Sequence, residues 1–308
     1  MIKQIIDFLK DIFRKINDNR IKCGLYSIYA IISVVFFLYY LFPSDDIKSH
    51  ITQSVRQVNP NVNLKIQDVG LSFPLGVSLK NVIFEFESTP GFAFDKVKVS
   101  PSILSIIGFG RSYSFKFRAV SKNKGIIKGD AVIVKNSHPA DFMINTVISE
   151  IELKNIDYMK TLIPRGVSGL ASGSMTMSGS AESGIIMDSE VNILNCVTMF
   201  SFLGLNEIDL NFKQVDAVLH LSDNKLEIKD ISVSGDQLNG SFKGNIRINE
   251  MPGKSILNIT GTIKPKTAFL SQLNKALSGN VLGRFGLASK GIPVRFKGTV
   301  DKPTFSLQ

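Results

Sequence analysis

The feature that most restricts this chain is an alternation of apolar and polar residues at period two, which returns between turns from residue 61 to residue 300. Successive side chains of a β-strand point to opposite faces, so this pattern describes half-buried strands and is foreign to a helical bundle. It predicts strands over 61–67, 77–87, 92–99, 113–120, 125–134, 147–156, 169–179, 184–194, 208–212, 217–221, 225–234, 240–249, 255–263 and 293–300, bounded by Gly, Pro, Ser, Asn and Asp. Short helices are expected over 102–107 and 266–277. The fold class expected is mainly β: an elongated, curved antiparallel sheet with few helices, of on the order of 15 to 20 strands. Three phrases, Leu79-Lys80-Asn81-Val82, Leu153-Lys154-Asn155-Ile156 and Ile228-Lys229-Asp230-Ile231, each lead from one strand toward another and read as marks of repeated multi-strand units.

Ahead of the strands, Leu25 to Phe42 form eighteen positions without a charge. At about 1.5 Å per residue a helix of this length comes close to crossing the roughly 30 Å hydrocarbon core of a bilayer. Tyr26, Tyr29, Tyr39 and Tyr40 lie toward its ends, as interfacial rings do. Six basic residues (Lys3, Lys10, Arg14, Lys15, Arg20, Lys22) precede it, and Asp45 and Asp46 follow it, so the positive-inside rule places residues 1–24 in the cytoplasm and residues 43–308 across the membrane. The long leader and the absence of a small-x-small site after Phe42 argue against a cleaved signal. Within the leader, Ile2, Ile5, Ile6, Leu9, Ile12, Phe13 and Ile16 define one apolar stripe, either an interfacial helix or an extension of the anchor. Ile47, Ile51, Val55 and Val58 mark a further helix that ends before Asn59 and Pro60.

Chemistry-bearing residues are sparse. His50, His138 and His220 stand alone, Cys23 and Cys196 fall on opposite sides of the expected membrane, and no HExxH, P-loop or GxSxG pattern occurs. Gly235 to Ser241 lacks the phosphate-reaching lysine and reads as a turn between strands. The net charge of +10 is spread along the chain and not focused into a stripe, which speaks against nucleic acid. The expectation is a non-enzyme without cofactor or metal. Val82, Phe84 and Phe86 share one face of their strand, with Ile83, Glu85 and Glu87 on the other toward solvent; Phe115 and Phe117 likewise share a face. Val82, Phe84, Phe115 and Phe117 thus mark a face that is either packed core or a groove open to acyl chains.

The order of these features resembles a known family. A basic leader, one anchor (Leu25 to Phe42) and a helix precede Phe73-Pro-Leu-Gly-Val-Ser-Leu-Lys-Asn-Val-Ile83, which looks like the type II secretion system protein N family and, more distantly, AsmA-like proteins. Val97-Lys-Val-Ser-Pro-Ser-Ile-Leu-Ser-Ile-Ile-Gly108 and Ile292-Pro-Val-Arg-Phe-Lys-Gly-Thr-Val-Asp-Lys-Pro-Thr-Phe305 resemble further phrases of those families. The resemblance implies a single-pass inner-membrane protein with a periplasmic β-rich domain and no catalytic residues. It implies a structural or assembly role in the type II secretion system, with other secretion subunits as partners, or alternatively an AsmA-like carrier of phospholipid between membranes.

Overall fold

Fourteen antiparallel strands follow one another in the sheet in the order in which they occur in the chain, each hydrogen-bonded to its predecessor and its successor. This architecture comes from a computed structural model, which describes residues 23–30, 32–34, 36–37, 39–72, 76–86, 89–102, 105, 111–122, 125–134, 141–162, 166–180, 184–200, 208–249, 251–267, 269 and 291–307. The chain divides into two compact units, Met1–Ile47 and Lys48–Gln308. In the first, the described residues between 23 and 40 are helical; Leu25 is exposed, and Phe42 lies just past the last helical residue. Among the described residues no helix is long and apolar enough to cross a membrane. The amphipathic leader lies outside the described residues.

Helix α1 (Ser44–Val58) carries Asp45 and Asp46 in its first turn and Arg56 in its last, each complementing the helix dipole, and it stops where Asn59 and Pro60 withdraw the helical backbone. Arg56 donates from Nη2 to Asn63 Oδ1 (3.1 Å), and Lys48 donates from Nζ to the Gln67 carbonyl (3.3 Å), so α1 lies along the outer edge of the first strand. The strands are β1 (Val62–Ser72), β2 (Gly76–Phe86), β3 (Thr89–Pro101), β4 (Ser112–Ser121), β5 (Ile126–Val134), β6 (Phe142–Glu152), β7 (Val167–Ser180), β8 (Gly184–Phe200), β9 (Ile208–Ser222), β10 (Lys225–Gly235), β11 (Leu238–Arg247), β12 (Ile256–Pro265), β13 (Ile292–Thr299) and β14 (Pro303–Leu307). Asp223 and Asn224 join β9 to β10 with both φ angles positive, the geometry that lets two residues close a hairpin in step with strand twist.

Among the described residues the count is fourteen, against the 15 to 20 expected for the chain. The two short strands expected over 208–212 and 217–221 are one continuous strand, β9. β14 carried no expectation, and β6 runs over 142–152 instead of 147–156. The residues after it, Leu153–Asn155, form a 3-10 turn, followed by helix α2 (Asp157–Leu162), which the alternation did not foreshadow. Of the helices expected over 102–107 and 266–277, most residues lie outside the described set; Thr267 and Phe269 are helical.

Two of the three K-N/D phrases prove to be kinks. In β2, Leu79 and Val82 are both buried although three residues apart, with Lys80 and Asn81 exposed between them and Asn81 at φ 47°. The same spacing recurs at Ile148-Ser149-Glu150-Ile151 and Ile193-Leu194-Asn195-Cys196, where Glu150 and Asn195 also adopt positive φ beside a register shift. In β10 the register shifts between Ile228 and Ile231. At the last three sites an extra residue in one strand re-aims the side chains beyond it and returns an apolar residue to the face it would otherwise leave, whereas at Asn81 both neighbouring strands keep register. Leu153-Lys154-Asn155-Ile156, the third phrase, is not a kink but the 3-10 turn. The phrases are a recurring local device, with no repeated multi-strand unit required to explain them.

Candidate functional site: an apolar face across the whole sheet

Residues directly opposite in an antiparallel pair place their side chains on the same face, so the register alone shows which side chains form rows across the sheet. One row runs Leu71, Val77, Val99, Phe117, Gly129, Thr146, Met175, Ser189, Leu219, Ile228, Gly244, Ile259, Phe296 and Phe305, one residue from every strand. Two hydroxyls are its only polar side chains. To one side, Val69, Leu79, Val97, Ala119, Ile127, Ile148, Gly173, Val191, Ala217, Ile231, Phe242, Gly261 and Val294 make a row through β1 to β13 with no polar side chain. To the other side, Pro101, Phe115, Ala131, Ile144, Met177, Met187, Leu221, Leu226, Ile246, Leu257, Gly298 and Pro303 do the same from β3 to β14. None of the three rows contains a charge.

All four residues singled out from the sequence belong to this face. Phe115 and Phe117 sit in two of the rows; Val82 pairs with Ile66 and Phe94, and Phe84 with Leu64 and Phe92. Their burial differs. Val82 is 1% exposed and packs as core, while Phe84, Phe115 and Phe117 are only half-buried. The face is packed core at Val82 and partly open at the other three positions.

Burial grades along the strands. The connections β2–β3, β4–β5 and onward line one rim of the sheet, and there the apolar face is covered. The β6–β7 connection folds Leu153, Ile156 and Met159 onto Ile151, Ala171 and Ile148, and α2 reaches across to β3. Phe269, from the β12–β13 connection, packs with Leu210, Leu238, Ile292 and Val294. Toward the opposite rim less cover is described: apart from the exposed Pro303, residues of the row through Phe115 and Met177 are half-buried, and beyond them Tyr113 and Ile185 are exposed, while Ser105 of the β3–β4 connection is buried. A hollow of about 460 Å³ lies between β4 and β7, lined by Phe117, Gly129, Thr146 and Met175 together with residues of the flanking polar rows, Lys116, Lys128 and Asp130 among them, within the size range of ligand pockets.

Glycines in the rows make room for rings. Phe117 lies over Gly129, Phe142 over Gly179 and Phe242 over Gly261, each pair directly cross-strand. A Cβ at Gly129 would run into the Asn145 carbonyl oxygen and sit 2.7 Å from Phe117 Cζ. Gly129→Ala is accordingly expected to lower unfolding free energy by about 2 kcal/mol through overpacking, measured as a lower urea midpoint with an unchanged slope.

The other face is polar, with cross-strand bonds such as Asn192 Nδ2 to Asp216 Oδ1 (2.7 Å) and Asn145 Nδ2 to Asp130 Oδ2 (3.1 Å). His220 Nδ1 lies 2.9 Å from Asp188 Oδ1, and Lys229 Nζ is 3.3 Å from the same oxygen, so this histidine is partnered on the outer face. Among the described residues no cluster of His, Cys, Asp and Glu is placed to hold a metal ion. Glu85 departs from its expected exposure. It is buried, 2.6 Å from Lys65 Nζ, and accepts a further bond from Asn63 Nδ2 (3.1 Å). The hydrogen bond from Lys65 holds its carboxyl below the ordinary glutamate value, against the opposing effect of burial. A depressed carboxylate contributes stability that is present above its unfolded-state pKa and lost as pH falls through the folded one. The gap in unfolding midpoint between wild type and Glu85→Gln should therefore be open at pH 7 and close as pH falls below about 4.5; a gap that widens in acid would contradict the pairing.

No family model, curated protein or solved structure matches this chain. The function must be read from the face itself. Neither the kinks nor the rows were visible beforehand: alternation reports which residues of one strand share a face, but not which strand stands beside it or in what register.

Proposed function

We propose that residues 43–308 form a lipid carrier, anchored in an inner membrane by Leu25 to Phe42, whose sheet curls into an elongated trough that holds acyl chains away from water. The observation that carries this reading is the row structure: three adjacent rows without a charge, one running from β1 to β14 and the others from β1 to β13 and from β3 to β14. A packed core needs a second layer over such a face. Here most of the described cover lies along one rim, and the remainder is only half-buried. Thirteen inter-strand steps at about 4.8 Å give roughly 62 Å along the trough, about twice the thickness of a hydrocarbon core. Such a length suits a conduit better than a pocket for one molecule. The exposed tyrosines, phenylalanines and isoleucines between residues 25 and 41 support the anchor, since no other described residue of their unit covers them. Carrying lipid calls for no catalytic group, metal or cofactor.

A structural role in type II secretion shares the same anchor and the same periplasmic placement, but it would draw on the polar outer face and leave the apolar rows without a purpose. Photocrosslinking in cells separates the two. A benzoyl-phenylalanine placed at Ile144 or Met187, in the row nearest the open rim, should give phospholipid adducts by mass spectrometry, and the same probe at Ser174 on the outer face should not. A reporter fused after Gln308 should be active only outside the cytoplasm. Adducts to secretion subunits with none to lipid would overturn the carrier in favour of the apparatus.

A further inference from the structure

The open rim has a surface of its own. It is formed by the starts of β4, β6, β8 and β12, the end of β11 and the β11–β12 connection, and it carries Tyr113, Met143, Ile185, Ile248, Met251 and Ile256 exposed. Ile185, Met251 and Ile256, at 53%, and Met143, at 49%, are the most exposed large apolar residues described in the sheet unit; away from this rim the highest value is 45%, at Leu194. These side chains also come from both faces. Ile185 pairs with Gly179 on the apolar side, whereas Ile256 pairs with Arg247 and Thr299, and Met143 with Ser178, on the polar side. A rim bathed in water would keep its outer side chains polar, as most of the outer face does. Among the described residues the connections of the covered rim carry Lys122, Lys154, Lys160 and Asp236 on the surface, and the exposed apolar residues toward that rim, Phe92 at 38% and Met199 at 40%, are fewer and less exposed.

Resting on the trough reading above, we propose that this rim is the edge the domain sets into the interface of a phospholipid bilayer, and that acyl chains pass over it into the trough. Two observations name a bilayer as the occupant. The belt is continuous with the apolar rows, so an acyl chain leaving the bilayer over Ile185 reaches Met187 and Met177 without crossing a charge. The belt is also narrow and set along strand ends, with Arg111, Arg247 and Lys254 exposed beside it as well as Asp223 and Asp301, three cations to two carboxylates, an arrangement suited to headgroup depth, where apolar side chains enter the acyl boundary and cations meet phosphate.

The test uses the full-length chain reconstituted into nanodiscs through its own N-terminal segment, mixed with vesicles of phosphatidylethanolamine and phosphatidylglycerol and floated on a density gradient. Wild type should co-float with the vesicles. The rim variant Ile185→Asn/Met251→Ser/Ile256→Thr should do so at least about fivefold less, because interfacial binding scales with inserted apolar area. A control of similar exposure on the outer face, Val147→Thr/Leu194→Asn/Val218→Thr, should stay close to wild type. Equal loss in the control, or no co-flotation of wild type, overturns the rim. Should the triple variant unfold, Met251→Ser alone, which lies in a connection outside the sheet, is read in the same way, with a loss of about twofold expected. Crosslinking of lipid from Ile144 keeps the two readings apart. Its absence in a wild type that still co-floats would sink the trough and leave the rim as a membrane contact; its fall together with flotation in the rim variant would support both, and its persistence in a rim variant that no longer floats would support the trough and overturn passage over the rim.

Discussion

Val82→Asp is expected to unfold the sheet unit at neutral pH. Val82 is 1% exposed and pairs across β2 with Ile66 and Phe94, both buried, so no water and no cation stands ready for a carboxylate there. Burying the group unpaired, or protonating it to avoid the charge, costs several kcal/mol, and about 4 kcal/mol or more is a large share of the 5–15 kcal/mol that holds a typical domain together. Val82→Ala removes two methyl groups without adding a charge and should cost about 2 kcal/mol. Far-UV circular dichroism with urea titration reads both; a Val82→Asp protein that melts with wild type would mean that this end of the face is wet.

Met177→Lys should do the reverse, leaving the fold nearly intact and removing lipid. Met177 pairs with Ile144 and Met187 in the half-buried row nearest the open rim, where a lysine stem can lie along the apolar face while its ammonium reaches water. The stability cost should stay near 1 kcal/mol or below. An acyl chain meeting that charge gives up contact with a few methylenes at about 0.8 kcal/mol each, which amounts to on the order of 100-fold in affinity when three or four are lost. Phospholipid crosslinked from Ile144 should fall by that order while the urea midpoint stays put. If the lipid signal survives, the row is not where lipid sits.

These two expectations rest on parts of the molecule that were unequally legible in the sequence. Alternation located thirteen of the strands, because a half-buried strand writes its own faces into its composition. It split β9, because Phe212 and Val215 are three apart and the kink at Lys213 and Gln214 looks like a turn. It misplaced β6 for a related reason: Ile148 and Ile151 are in phase only across the positive φ of Glu150, so the alternation was followed past the strand's true end at Glu152. Glu85 was read as solvent-facing because its partners, Asn63 and Lys65, lie on another strand. The candidate site suffered most from this blindness. Val82, Phe84, Phe115 and Phe117 were identified, but the face that they belong to exists only through register, which no single strand encodes.

The order of the strands has a consequence for how such a sheet is made and altered. Each strand is hydrogen-bonded to the one before it, so strands can be added to the sheet one at a time in chain order without waiting for its distant end. Length becomes an adjustable property. Excising the hairpin β5–β6 would bring β4 against β7 with inward and outward positions still in phase and shorten the conduit by about 10 Å, whereas removing a single strand would reverse the chain direction of everything downstream. Growth and loss in pairs of strands is thus the cheap evolutionary step for this architecture, and chains of its kind should differ in reach by whole hairpins.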